Sequence, residues 1–117
     1  MSTSEAYAPF DVVVVPFPYS DRLAEKRRPA LVVSGPPLDG FGVLWLAMIT
    51  SAENSAWACD VPIVDLARAG LPAASVVRPA KIACVDPGRV LRRAGVLDAA
   101  TARRVARQMR RFLATAR

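Results

Sequence analysis

A mainly β fold with helices (α+β), a small curled sheet or barrel closed by a C-terminal helix, is what this sequence predicts. Three observations lead there. Short β-branched, apolar runs separated by proline- and glycine-bearing turns fill the first 85 residues. Nothing between them has the length and 3.6-residue period of a crossover helix, which argues against a parallel βαβ sheet. From residue 99 the period turns helical, with apolar side chains on one side and arginines on the other.

The elements follow in order. After a nine-residue lead-in, residues 10–17 read as a strand, with Pro16 marking an edge or bulge near its end. Residues 18–27 are polar and turn-rich, a loop long enough to expect function from it. Residues 29–34 predict a second strand, with Lys26-Arg27-Arg28 immediately before it and Arg28 at its mouth. A turn through Gly42 leads to a third strand at residues 43–50, followed by the polar stretch 51–54. Short strands are expected at 60–64 and 75–78, separated by one helical turn within 65–70, and a sixth at 80–85. Asp86-Pro87 opens a short turn to Leu91. Asp98 caps a helix from Ala99 to about Ala114. Its apolar stripe is Ala102, Val105, Ala106, Met109, Phe112 and Leu113; Arg103, Arg104, Arg107, Arg110 and Arg111 lie on the other side.

Composition sets bounds on function. A chain of 117 residues with 53% hydrophobic and 22% charged residues is expected to form a single globular domain over 1–117. The absence of histidine removes histidine triads, two-histidine ribonuclease chemistry and classical zinc fingers. Two cysteines, Cys59 and Cys84, make no disulfide scaffold. The longest apolar run, residues 43–49, falls far short of a membrane span, and the opening MSTSEAYAPF lacks the marks of a signal peptide, so a soluble cytoplasmic protein is expected. Net charge is +6, unevenly spread: residues 1–88 hold seven Lys/Arg against nine Asp/Glu, and residues 89–117 nine Arg against Asp98 alone. Such a tail suits nucleic acid or an acidic partner segment, and equally a solvated helix face.

Polar residues at strand ends are the candidate chemistry: Arg28, Thr50 with Ser51, and Arg78, for which Asp60 or Asp65 offer an ion pair. At these residues the chain resembles a known family. Asp11-Val12-Val13-Val14-Val15-Pro16-Phe17-Pro18-Tyr19-Ser20-Asp21 followed by Lys26-Arg27-Arg28-Pro29-Ala30-Leu31-Val32-Val33-Ser34 looks like the opening of the MazF/PemK toxins of toxin–antitoxin modules. Ile49-Thr50-Ser51, Ser75-Val76-Val77-Arg78 with Lys81-Ile82, and the final helix match in order and character, so the resemblance runs from about Phe10 to the C-terminus.

The resemblance implies an SH3-like, CcdB/PemK-type β-barrel with a C-terminal helix, working as a homodimer and needing neither metal nor cofactor. It implies an endoribonuclease that cuts single-stranded RNA at short preferred sequences, held silent by a cognate antitoxin with a disordered acidic tail. Carried over residue by residue, it puts Arg28, Thr50 and Arg78 at the catalytic centre. Tyr19, Ser20, Lys26, Arg27 and Ser51 become expected RNA contacts, and Tyr19 and Trp57 aromatic rings suited to stacking on unpaired bases. RNA supplies its own nucleophile: 2′-OH attack on the adjacent phosphate leaves a 2′,3′-cyclic phosphate and a 5′-hydroxyl, so the protein need only align the attack and stabilise charge. Two departures from the family pattern touch the general base. Ala80 stands where the PemK branch carries an aspartate, and Leu23 where the MazF branch carries a glutamate. Asp21, Glu25, Glu53 and Asp60 are the substitutes the sequence offers. Two other functions use the same fold: a gyrase poison of the CcdB kind, acting by protein contact, and a non-catalytic module binding RNA or antitoxin.

Overall fold

The computed structural model describes residues 7–17, 26–54 and 56–116. They form a curled six-stranded antiparallel sheet with a C-terminal helix, in the strand order β4-β5-β3-β2-β1-β6. Strands β1 (Asp11–Phe17), β2 (Lys26–Val32) and β3 (Leu44–Ser51) form its middle, where both faces are covered. That explains the nearly unbroken apolar sequences of β1, β3 and the Ala30–Val32 half of β2. Val12, Leu31, Ala47 and Ile49 face one core, together with Val61, Val77, Leu97 and Val105. Val13, Val15, Ala30 and Val32 face the other, with Leu44 and Leu46.

β2 starts earlier than the sequence suggests, and this corrects the placement of Arg28. Lys26, Arg27 and Arg28 are not a lead-in but the first three residues of the strand, paired with Phe17, Pro16 and Val15. Pro29 does not delay the strand because pairing with β3 begins only at Ala30, so no ladder bond is lost there. A 3₁₀ helix, Pro36–Phe41, closed by Gly42 in the left-handed region, joins β2 to β3.

β5 (Ser75–Val85) is one strand of 11 residues where two were expected. Pro79 interrupts nothing because it sits in a bulge: the register with β3 jumps from Met48↔Arg78 to Ala47↔Ile82. β4 shrinks to Val61–Pro62, paired with Val77 and Val76. Helix α1 (Leu66–Ala69) is the single turn expected, capped by the Asp65 side chain, which accepts from the Arg68 N–H at 3.0 Å. Gly70 ends it in the left-handed conformation, and a Cβ there would lie 2.1 Å from the Ala94 oxygen, so only glycine fits.

β6 (Arg92–Val96) is absent from the sequence expectations. Its Arg-Arg-Ala-Gly-Val run has little strand character; pairing with β1 and the close approach of Gly95 to α1 make it a strand. The buried Asp11 carboxylate fastens this edge, accepting from Arg93 Nε and the Ala8 N–H, each at 2.9 Å. Phe10, just before β1, has φ +71°, the one non-glycine residue with positive φ among those described.

Helix α2 (Ala99–Phe112) follows Asp98, whose carboxylate accepts from the Thr101 N–H at 3.0 Å and the Thr101 hydroxyl at 2.7 Å. Thr101, fully buried, in turn accepts from the Val64 N–H, tying α2 to the sheet. Burial pushes the Asp98 carboxyl up, but the hydrogen bonds from Thr101 and Asp65 outweigh it and hold it below its ordinary value. Ala102, Val105 and Met109 pack on the sheet as the stripe requires, whereas Phe112 and Leu113 at its end are exposed. No helix of the described residues is long and apolar enough to cross a membrane.

Candidate functional site

Register brings the expected site residues toward one another. Thr50 pairs with Val76 and Met48 with Arg78, so Thr50 and Arg78 are diagonal neighbours on one face of the sheet, roughly 7 Å apart by ladder geometry. Ala30 pairs with Met48 on that face, and Arg28 lies two residues beyond this last β2–β3 pair. Thr50 and Arg78, on the adjacent strands β3 and β5, thus share one side of the sheet. Thr50 is buried, and its hydroxyl oxygen accepts a hydrogen bond from the Asn54 side-chain amide.

Arg78 is held tightly. Its side chain is 8% exposed and forks onto the Asp60 carboxylate, Nε to Oδ1 and Nη2 to Oδ2, both at 2.9 Å. The indole of Trp57 lies over the guanidinium, 4.4 Å from ring centroid to Cζ. The Asp60 carboxylate also accepts the Trp57 N–H at 2.9 Å, while the Asp60 N–H returns a bond to the Trp57 carbonyl. The hydrogen bonds from Arg78 hold the Asp60 carboxyl below the usual carboxylate range, against the opposing effect of burial. A carboxylate so stabilised is a weak base at neutral pH. Of the four residues considered as general base, Asp21 and Glu25 lie outside the described residues, and Glu53 is exposed on the turn after β3.

Arg28 is half-buried, with its Nε enclosed by protein. It lines a cleft of about 430 Å³ with Arg27, Pro29, Leu71, Pro72, Leu91 and Arg92, and neither Thr50 nor Arg78 reaches that cleft. Lys26 and Arg27 are exposed. Ser51 is exposed as well, its hydroxyl accepting the Glu53 N–H at 3.2 Å and closing the turn after β3. Tyr19 and Ser20 lie outside the described residues. No group of three His, Cys, Asp or Glu side chains gathers to hold a metal ion among the described residues.

One member of this cluster was not singled out by sequence. Asn54 sits four residues past Thr50, the reach of a tight turn, and the polar run 51–54 was its only signal. Asp60 was one of the two acids expected as an ion-pair partner of Arg78, and the structure selects it over Asp65.

A family model described as "PemK-like, MazF-like toxin of type II toxin-antitoxin system" matches residues 8–113. No curated protein matches the chain. Among solved structures, the Mycobacterium tuberculosis toxin MazF-mt6 is similar at 23% identity and TM-score 0.67, covering 85% of this chain and 91% of that one. The MazE–MazF crystal structure (Form-II) from Deinococcus radiodurans aligns at 20% identity and TM-score 0.71, over 96% and 99%. An endoribonuclease in complex with its cognate antitoxin, from Mycobacterial species, aligns at 14% identity and TM-score 0.70, over 89% and 91%. At these identities the structural matches speak for the fold.

Proposed function

The chain belongs to the PemK-like, MazF-like toxins of type II toxin–antitoxin systems, and from that premise we propose that it is a metal-independent endoribonuclease cutting single-stranded RNA at a short preferred sequence. The observation that carries this reading is the register that sets Thr50 and Arg78 side by side on one sheet face. Two guanidinium groups and a hydroxyl suit a phosphate whose own neighbouring 2′-OH is the nucleophile. In the proposed reaction the 2′-OH gives up its proton to solvent as its oxygen bonds to phosphorus, the P–O5′ bond breaks with protonation of the 5′-oxygen, and the products carry a 2′,3′-cyclic phosphate and a 5′-hydroxyl. Arg28 and Arg78 stabilise charge on the phosphorane oxygens, and one of them delivers a proton to the leaving 5′-oxygen. Thr50, its oxygen already accepting from Asn54, orients a phosphate oxygen through its O–H. Lys26, Arg27 and Ser51 contact the strand on either side, as do Tyr19 and Ser20 of the first loop.

The proposed partners follow from the same premise. The protein acts as a homodimer and is silenced by a cognate antitoxin through an acidic segment. The exposed arginines of α2 offer that segment a complementary surface. Solved relatives include a MazE–MazF assembly and an endoribonuclease with its cognate antitoxin, which supports this expectation.

Incubation of the purified protein with a long single-stranded RNA in EDTA tests the reading. Discrete fragments with 5′-hydroxyl ends are expected, with Arg28→Ala reducing the rate by about a hundredfold or more. RNA left intact by folded, antitoxin-free protein contradicts it and leaves action by protein contact.

A further inference from the structure

We propose that Asp60 is a positioning residue, whose single carboxylate fixes the Arg78 guanidinium and the Trp57 indole as one stacked unit that recognises a phosphate together with its adjoining unpaired base. This deepens the endoribonuclease reading and rests on the RNA binding it contains. The argument starts from the hydrogen bonds. Oδ1 takes Arg78 Nε; Oδ2 takes both Arg78 Nη2 and the Trp57 N–H, all at 2.9 Å. The reciprocal bond from the Asp60 N–H to the Trp57 carbonyl closes the turn, so the backbone that carries the indole is held beside the guanidinium it covers.

The unit is anchored below and open above. Arg78 and Asp60 have side chains only 8% and 7% exposed, whereas Trp57 is 44% exposed although Arg78 covers one of its faces. The face of the ring away from Arg78 is where a base would stack. As a platform for a base its sequence tolerance and its stacking strength are both useful. Thr50 is the diagonal neighbour of Arg78, so a base on Trp57 adjoins the phosphate position proposed above. Asp60 holds the arginine and does not stand in for the proton acceptor lacking at Ala80.

The chain has two tryptophans, so Trp45→Phe leaves Trp57 as the sole indole. In that background, a fluorescently labelled single-stranded oligonucleotide with 2′-O-methyl riboses binds without being cut, and anisotropy gives its Kd independently. Quenching of Trp57 emission on saturation is expected, with Trp57→Ala weakening Kd by about tenfold or more and Trp57→Phe recovering most of it. Asp60→Asn is expected to reduce the quenching and raise KM for a cleavable RNA, and Asp60→Glu to restore part of both. Binding with unchanged emission, or a wild-type Kd in Trp57→Ala, overturns the proposal even if natural RNA is cut. Quenching without cleavage of natural RNA upholds the stacked unit and removes the endoribonuclease reading instead. No binding by anisotropy overturns the proposal.

Discussion

The molecule contains the same trio of side chains twice, in two regions with different consequences. At the β1–β6 edge, Asp11 accepts from Arg93 Nε at 2.9 Å, and Arg93 lies 5.4 Å from the ring centroid of Tyr7. At the site face, Asp60 takes a two-nitrogen fork from Arg78, which lies 4.4 Å from the centroid of Trp57. The difference is in what is exposed. Arg93 is 39% exposed while Asp11 is buried in the sheet, so that trio is a clasp holding a weakly encoded strand in register. In the second the ion pair is buried and the aromatic ring is exposed, so the arginine is held still and the ring is offered outward. An aspartate–arginine–aromatic set is therefore no signature of function by itself; the order of burial within it separates a fastening from the surface proposed above for recognition.

Removing the arginine from each trio should break the comparison most sharply. Arg78→Ala leaves Asp60 buried and charged, and is expected to cost about 3–5 kcal/mol in denaturant unfolding. It should also reduce RNA cleavage by about a hundredfold or more. A replacement of both partners by apolar residues (Arg78→Met with Asp60→Leu) should recover much of the stability and none of the cleavage. Cleavage that recovers with stability would make the pair a fastening like the other.

Acid separates the two next. The Asp60 carboxyl is held low by Arg78, so its contribution to stability is complete above the unfolded carboxyl value of about 4 and is lost as pH falls from there through the folded value. Asp98, also held low, acts in the same window. The thermal midpoint should therefore fall as pH drops below about 4, and Asp60→Asn should flatten that fall without abolishing it. An unchanged acid limb in Asp60→Asn would contradict the strength assigned to the pair.

The smallest effect belongs to the clasp. Arg93→Ala is expected to cost about 1 kcal/mol, because its side chain is more than one-third exposed and screened by water. Cleavage should stay within about twofold of wild type. A loss comparable to that of Arg78→Ala would erase the distinction between the two trios.

How much of this was legible in the sequence depends on what each feature rests on. β1 to β3 and α2 were legible because burial leaves its mark locally: runs such as Val12-Val13-Val14-Val15 need both faces covered, and Asp98 caps a helix with an apolar stripe. β6 was not, since Arg92–Val96 is a strand only by virtue of β1 and α1 beside it. Pro79 misled as a strand terminator because a bulge, invisible in sequence, absorbs it. Pro29 likewise concealed that Arg28 lies within β2. Of the site, Arg28, Thr50 and Arg78 were nameable from family resemblance, but the face that Thr50 and Arg78 share is a matter of register. Asp60 acquires its role from a partner in another strand, and Asn54 from a turn geometry that its neighbours only hint at.

The central claim is that Arg28, Thr50 and Arg78 act on one phosphate as a unit. Single-turnover cleavage of a defined single-stranded RNA by wild type, Arg28→Ala, Thr50→Val, Arg78→Ala and the triple variant tests it most directly. Residues acting as a unit are non-additive, so the triple variant is expected to be little slower than the slowest single one. Losses that add across the three positions, or single variants cutting at the wild-type rate, would contradict it.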